Sequence, residues 1–315
     1  MNTADIASEH AARLAAADPL LPLSEALDDA GSTGDAPVFE VVKGDSGASG
    51  VSARTEVAPK LSDSLWRALV EHRLTVRLAG SQSGEVFADL LTRWDEHLAK
   101  VAAPGDWDTA AVVIRPSRDP IGSAELLRHG FAPVRVLAVR PADRLAAPGP
   151  AAEPGVRIRP AEQADLDTAV GLHTELLRYD AEFGGATLRE SARELFAADV
   201  AKQIASSSPA LWIAELYGQP LGLLQIQVPP DSGWARQYVR AQRVGYLSSL
   251  HVAEAARSSG VGSALAAHAH QLFDEAGMEV VLLHHALANP RSTPFWYSQG
   301  YRPLWTHWQR RPAIR

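Results

Sequence analysis

The residues best placed for chemistry cluster between Tyr246 and Gln271, YLSSLHVAEAARSSGVGSALAAHAHQ. An apolar strand pattern, Val244 to Val252, runs into Arg257-Ser258-Ser259-Gly260-Val261-Gly262-Ser263. Beyond it Val261, Leu265, Ala269, Leu272, Phe273 and Ala276 recur at helical steps, the mark of one buried helix face. A glycine-bearing turn between strand and helix leaves the first helical N–H groups without backbone partners. Those donors and the positive end of the helix dipole suit an anion, above all a phosphate or pyrophosphate. Glycine lets phosphate oxygens approach the amides, and Arg257 can add charge-assisted bonds. A turn that only packs a helix on a sheet would carry the same glycines. His284 and His285 close the next strand pattern on opposite faces, so at most one can face a cleft; imidazole suits a general base near neutral pH.

Elements must hold this stretch, and the bulk composition bounds them. The 315 residues suit two domains, and 46% apolar with 21% charged residues is ordinary for a globular chain. A net charge of 30 − 37 = −7 argues against nucleic acid as a partner. With no cysteine, disulfides, thiolate metal sites and a cysteine nucleophile are excluded, and no metal is expected. No apolar run reaches the ~20 residues of a membrane span, and no basic-then-apolar leader opens the chain. A cytoplasmic protein, monomer or homodimer, is expected.

An alanine-rich helix is expected over Asp5 to Ala17, a loop over Gly31 to Gly34, and strands over Val38–Val42 and Val51–Val57 joined by a turn. Helices follow over Ser62–Glu71 and Val86–Val101, and strands over Leu74–Leu78, Thr109–Ile114 and Val134–Val139. Pro141 to Pro154, rich in proline, reads as a linker. The expected division is therefore residues 1–148, a linker at 149–154, and residues 155–315. The second half opens with a strand and helices over Asp165–Phe183 and Arg189–Ile204. Two strands and a polar loop of about 13 residues precede the central strand, a loop long enough to suspect function. Val280–His284, a short helix from Ser292 and a final strand pair over Tyr301–Arg311 finish the chain.

Shifted by 170 positions, the chain resembles itself. Arg118-Asp119-Pro120 lies over Ala288-Asn289-Pro290, and His129-Gly130-Phe131-Ala132-Pro133 over Gln299-Gly300-Tyr301-Arg302-Pro303. The halves are unequal in chemistry. Opposite the Arg257 loop the first half has Ala79-Gly80-Ser81-Gln82-Ser83-Gly84-Glu85, without arginine and with Glu85 and Asp89 in place to repel a pyrophosphate.

Three segments, VRIRPAEQADLD, YLSSLHVAEAARSSGVGSAL and NPRSTPFWYSQGYRP, resemble in order the GCN5-related N-acetyltransferase (GNAT) superfamily over Val156 to Arg315. The whole chain resembles its tandem arrangement, of which mycothiol synthase is one example, with a degenerate first copy. The resemblance implies a mixed α/β fold: two tandem domains, each a central mixed twisted sheet flanked by helices. It implies acetyl-CoA as co-substrate, held by the Arg257–Ser263 loop, by the strand's Leu250, His251 and Val252, and by Asn289 and Trp296. The amides of Leu250 and Val252 would polarise the thioester carbonyl.

The family's proton-donating tyrosine falls on Trp296, whose indole cannot serve; Tyr297 is the next candidate, about 100° round the helix. The family's glutamate position falls on Tyr246, with Ser248 on the same face by alternation, where they would order a water chain; His284 is the other candidate base. Glu175, on the first helix of the second half, and Trp234, in the polar loop, border the expected acceptor site. The function expected is acetyl transfer to a small-molecule amine. A non-catalytic acyl-CoA sensor and a mycothiol-synthase-like acetyltransferase are the alternatives.

Overall fold

The computed structural model describes residues 1–22, 36–141 and 153–315. The expected Gly31–Gly34 loop and most of the 149–154 linker lie outside them. Helix α1 spans Thr3–Ala17, capped by Asn2, whose side chain accepts from the Asp5 amide. Strands β1 (Val38–Lys43) and β2 (Ser46–Glu56) form a tight hairpin, so the expected turn over Lys43–Gly50 is mostly strand. After a single 3₁₀ turn at Ser62–Leu65 comes β3 (Val70–Ala79), then α2 (Ser83–Val101), β4 (Thr109–Pro116), α3 (Ser123–Arg128) and β5 (Ala132–Pro141). The helix expected over Ser62–Glu71 is thus replaced. Its last two residues, Val70 and Glu71, belong to β3, which pairs with β2 from Glu56 back to Gly47.

The second half contributes β6 (Val156–Pro160), α4 (Leu166–Ala181), α5 (Ala192–Ile204), β7 (Leu211–Leu216) and β8 (Gln219–Gln227). It continues with β9 (Val244–Val252), α6 (Val261–Glu275), β10 (Val280–Ala286), α7 (Ser292–Ser298) and β11 (Arg302–Arg310). The expected final strand pair is the single strand β11.

The described residues build one sheet of eleven strands in the order β1-β2-β3-β4-β11-β5-β10-β9-β8-β7-β6. The pairs β3–β4 and β9–β10 are parallel and the others antiparallel. The order shows that the halves exchange their last strands. β11 lies against β4 of the first half, β5 lies against β10 of the second, and the two exchanged strands pair with each other. A cut at 149–154 therefore does not divide the sheet into two self-contained units.

Each core is completed from across the middle. Val136 and Ala138 of β5 pack with Leu265, Ala269 and Phe273 of α6. Trp308 of β11 and Ala313 pack with Phe87, Leu90 and Trp94 of α2. Removing a buried aromatic of this size costs about 3–5 kcal/mol, so the exchange is a large part of what holds the halves together. Helices α2 and α6 cover one face. On the other, α4 and α5 pack with Leu65 of the first half around Phe196, Ile213 and Leu223.

The internal repeat has a structural counterpart. Asp119 accepts from the Ile121 amide at 3.1 Å, and Asn289 from the Arg291 and Ser292 amides at 3.0 Å. In both halves a short helix follows and ends at a left-handed glycine, Gly130 (φ 79°) and Gly300 (φ 85°).

Candidate active site

Helix α6 starts at Gly260, whose φ of 85° is left-handed and whose added Cβ would meet the Glu153 side chain at 2.7 Å. No side chain caps it and no acid stands in its first turn, so the leading amides have no acceptor from a cap. At Gly262 a Cβ would meet nothing closer than 3.7 Å. Ser258, with φ 63°, also takes a left-handed backbone, strain that clusters at functional loops. Ser259 Oγ donates to the Ala256 carbonyl at 2.6 Å, Val261 is buried in the core, and Ser263 lines the cleft. Arg257 is paired with Glu175 at 3.2 Å and Glu254 at 3.4 Å and lies over the Tyr179 ring.

Beside this helix the sheet opens. β9 and β10 pair only at Val244–Val280, Gly245–Val281 and Tyr246–Leu282, then diverge. Gly245 makes the near approach possible, since a Cβ there would meet Phe273 at 2.5 Å. The Ala253 amide donates to Leu221 on the β8 side. Amides alternate along a strand, so those of Val252 and Leu250 face the edge that β10 has left.

A bulge sits just before them. Ser249 pairs with Gln225 but Leu247 pairs with Ile226, so Ser248 is the extra residue. Alternation breaks at the bulge, yet Tyr246 and Ser248 both line the cleft on this sheet. Leu247, Leu250 and Val252 pack towards α6, while His251 lies on the α4 side, 3.4 Å from Glu175. Ser248 Oγ is buried without a hydrogen-bond partner.

On the α4 side a cleft of about 1190 Å³ runs from the Arg257 loop across the exchanged strands to the first half. At its centre the Tyr246 hydroxyl and His284 Nδ1 are 2.9 Å apart. Trp234, from the 3₁₀ turn Gly233–Tyr238, stands edge-on to Tyr246 with ring centroids 4.7 Å apart. His307 of β11 meets the His284 ring edge-on at 5.2 Å. Burial pushes the Tyr246 hydroxyl up to about 12. Burial, then the Arg135 and Arg73 cations, hold His284 well below the usual imidazole range; His307 is held down by burial and by His284, Arg135, Arg73 and Arg67. Both imidazoles are neutral at pH 7.

Three other expected site residues stand differently. Tyr297 is 39% exposed, touches His285 edge-on and does not line the cleft. One helical step puts it outside while Trp296 packs inward against Phe295 and Tyr301. Asn289 is buried, caps α7 and donates to Asp180 at 3.2 Å, so its side chain is engaged. Glu175, expected at the acceptor, accepts from Arg257 and from the Glu254 amide at 3.1 Å, tying α4 to the loop.

The first half repeats the opening but fills it. β3 and β4 pair over five rungs, Val70–Thr109 to Leu74–Val113, and then separate. There α1 supplies the acceptors: the Leu78 amide donates to His10 Nδ1 at 3.3 Å and the Gly80 amide to Glu9 at 2.6 Å. The Gln82 amide donates to Ser46 Oγ at 2.9 Å, and Asp89 is paired with Lys43. Sequence gave no sign of this plug, nor of Arg67, Arg73, Arg135, His307 and Gln309 in the cleft. They arrive from the first half and the exchanged strands.

Residues 176–301 match the Acetyltransferase (GNAT) family model. No match was found among curated proteins. A GCN5-related N-acetyltransferase from Sphaerobacter thermophilus is similar in structure, with TM-score 0.55, 14% identity, and 85% of this chain and 78% of that chain covered. The GCN5-related glucosamine N-acetyltransferase region of a fungal multi-domain β-N-acetylglucosaminidase gives TM-score 0.53 at 12% identity, covering 98% of this chain and 37% of that one. These likenesses show the fold. No described helix is long and apolar enough to cross a membrane.

Proposed function

We propose that this chain, which carries a GNAT-type domain over residues 176–301, transfers an acetyl group from acetyl-CoA to a small-molecule amine in its C-terminal half. The observation that carries the reading is the parting of β9 from β10 after Tyr246–Leu282, beside an α6 N-terminus with no side-chain cap bond and no acid in its own first turn. The free donors fit acetyl-CoA there: the α6 amides for a pyrophosphate, and the Leu250 and Val252 amides for the thioester carbonyl, where they would stabilise a developing oxyanion. Arg257 would turn from Glu175 towards the phosphates.

The acceptor amine would lie beside Tyr246 and His284. With Nδ1–H donating to the Tyr246 oxygen, His284 keeps the Nε2 lone pair for the proton leaving the amine. The nearby arginines disfavour holding that proton, so it passes on to solvent. Alignment of amine and thioester supplies the larger share of the acceleration. The thiolate leaves without an acid, as a thiol of pKa near 8.5 allows.

Tyr297's position outside the cleft favours one second reading, a non-catalytic acyl-CoA-binding protein. Incubation with acetyl-CoA and a mixed amine panel, with a thiol reagent reporting free CoA, separates the two. Acetyl-CoA binding without thiol release from any amine would end the transferase reading.

A further inference from the structure

The far end of the cleft floor carries more positive charge than its acids balance. Glu71 is the partner of two guanidiniums, Arg67 and, at 3.6 Å, Arg73. Arg135 donates only to the carbonyls of Trp66 and Gly185, and among the described residues no carboxylate pairs with it. Arg67 and Arg73 each keep an Nε without a hydrogen-bond partner. Arg311, beside them, shares Asp108 with Arg189 at 3.8 and 2.7 Å. Of the other acids lining the cleft, Asp180 accepts from Asn289 and faces the Arg135 charge without an ion pair to it, Asp199 accepts from Ser62, Asp63 is exposed, and Glu254 pairs with Arg257 at the loop.

These groups share one face of the sheet. Across neighbouring strands Arg73 pairs with Val112 and Val112 with Gln309; His307, two residues before Gln309, pairs with Arg135. His284 and Tyr246 continue the same face on β10 and β9. The neutral imidazoles of His284 and His307 do not offset the arginines; burial first, and the same arginines after it, hold their basicity down.

We propose that the acceptor is an elongated amine bearing a carboxylate at its other end, with the amine beside Tyr246 and His284 and the carboxylate held by Arg67 and Arg73 near Gln309. This rests on the acetyl-transfer reading. From β3 to β9 the floor crosses six strands, about 24 Å at ~4.8 Å per step. Arginine side chains shorten that span, so a peptide-sized acceptor fits better than a single α-amino acid. A planar carboxylate can take two parallel N–H bonds from one guanidinium, which an amide cannot match.

The test is a panel of di- and tripeptides with free amino termini, each as the free acid and as the C-terminal amide, alongside uncharged alkylamines. Thiol release is measured at fixed acetyl-CoA. The expected result is kcat/KM about ten-fold or more higher for the acids, carried mainly by KM, with the acid-to-amide ratio falling towards one in Arg73→Gln. Arg67→Gln is the second variant should the first not fold, and the wild-type ratio needs no variant. Equal turnover of acids and amides, or preference for uncharged amines, would overturn the proposal and leave the transferase reading standing. Acetyl-CoA binding with no transfer to any amine overturns both.

Discussion

His284 Nδ1 lies 2.9 Å from the Tyr246 hydroxyl, linking the two strands at the point where they part. If His284 takes the proton from the amine, His284→Ala lowers kcat by about 100-fold, within the range for a positioned base. Tyr246→Phe, which keeps the ring against Trp234 but removes the hydroxyl, costs less. Steady-state kinetics alongside acetyl-CoA calorimetry check this; a full rate in His284→Ala would remove it from the mechanism.

Gly262→Glu should fold, because the site has room and a carboxylate in the first turn favours the helix dipole. The same carboxylate would oppose a pyrophosphate, so acetyl-CoA affinity is expected to fall by about 100-fold or more. Calorimetry reads this directly, and an unchanged Kd places the phosphates elsewhere. Gly260→Ala acts on stability instead, at about 1–2 kcal/mol for a left-handed non-glycine residue.

Trp234 stands edge-on to Tyr246 at the cleft and donates to Gln227 at 3.0 Å. Trp234→Ala should raise KM for the acceptor several-fold and leave that for acetyl-CoA unchanged. Equal acceptor KM in the variant and the native chain would remove Trp234 from the acceptor site.

Because each half lends its last strand, cutting the chain between them should not separate the pieces. With a protease site inserted between residues 142 and 152, the nicked protein is expected to elute as one species. Trp308→Ala, removing β11's contribution to the first-half core, should lower stability by about 3–5 kcal/mol. Pieces that elute apart under native conditions would contradict the exchange.

Burial holds His10, His173 and His270 down to about 3, 4 and 3 respectively. The unfolded chain takes up these protons near pH 6.5 and the native chain does not. Stability contributed by the neutral forms is therefore full above pH 6.5 and lost as pH falls towards 4, by up to about 1.4 kcal/mol per pH unit for each histidine. Urea midpoints at pH 7, 6 and 5 should fall in step. His173→Phe, beside the Phe196 ring it already stacks on, should flatten the slope.

What the sequence by itself determined is local. The α6 face, the Gly260–Gly262 turn, the β9 strand and the Asp119/Asn289 repeat were legible because each is written in neighbouring residues with helical, alternating or turn spacing. The Ser248 bulge was not, since it depends on where β8 runs out of register. Neither was Ser62–Glu71, which is a 3₁₀ turn at Ser62–Leu65 and joins β3 only from Val70. Tertiary structure alone decided which strands lie at the centre. In the sequence β5 reads as a strand and β11 as part of a final strand pair, and packing of Val136 and Trp308 into opposite cores selects the exchange. That choice carries His307 and Gln309 into the cleft, and α1 into the first half's opening, through contacts between residues far apart in the chain.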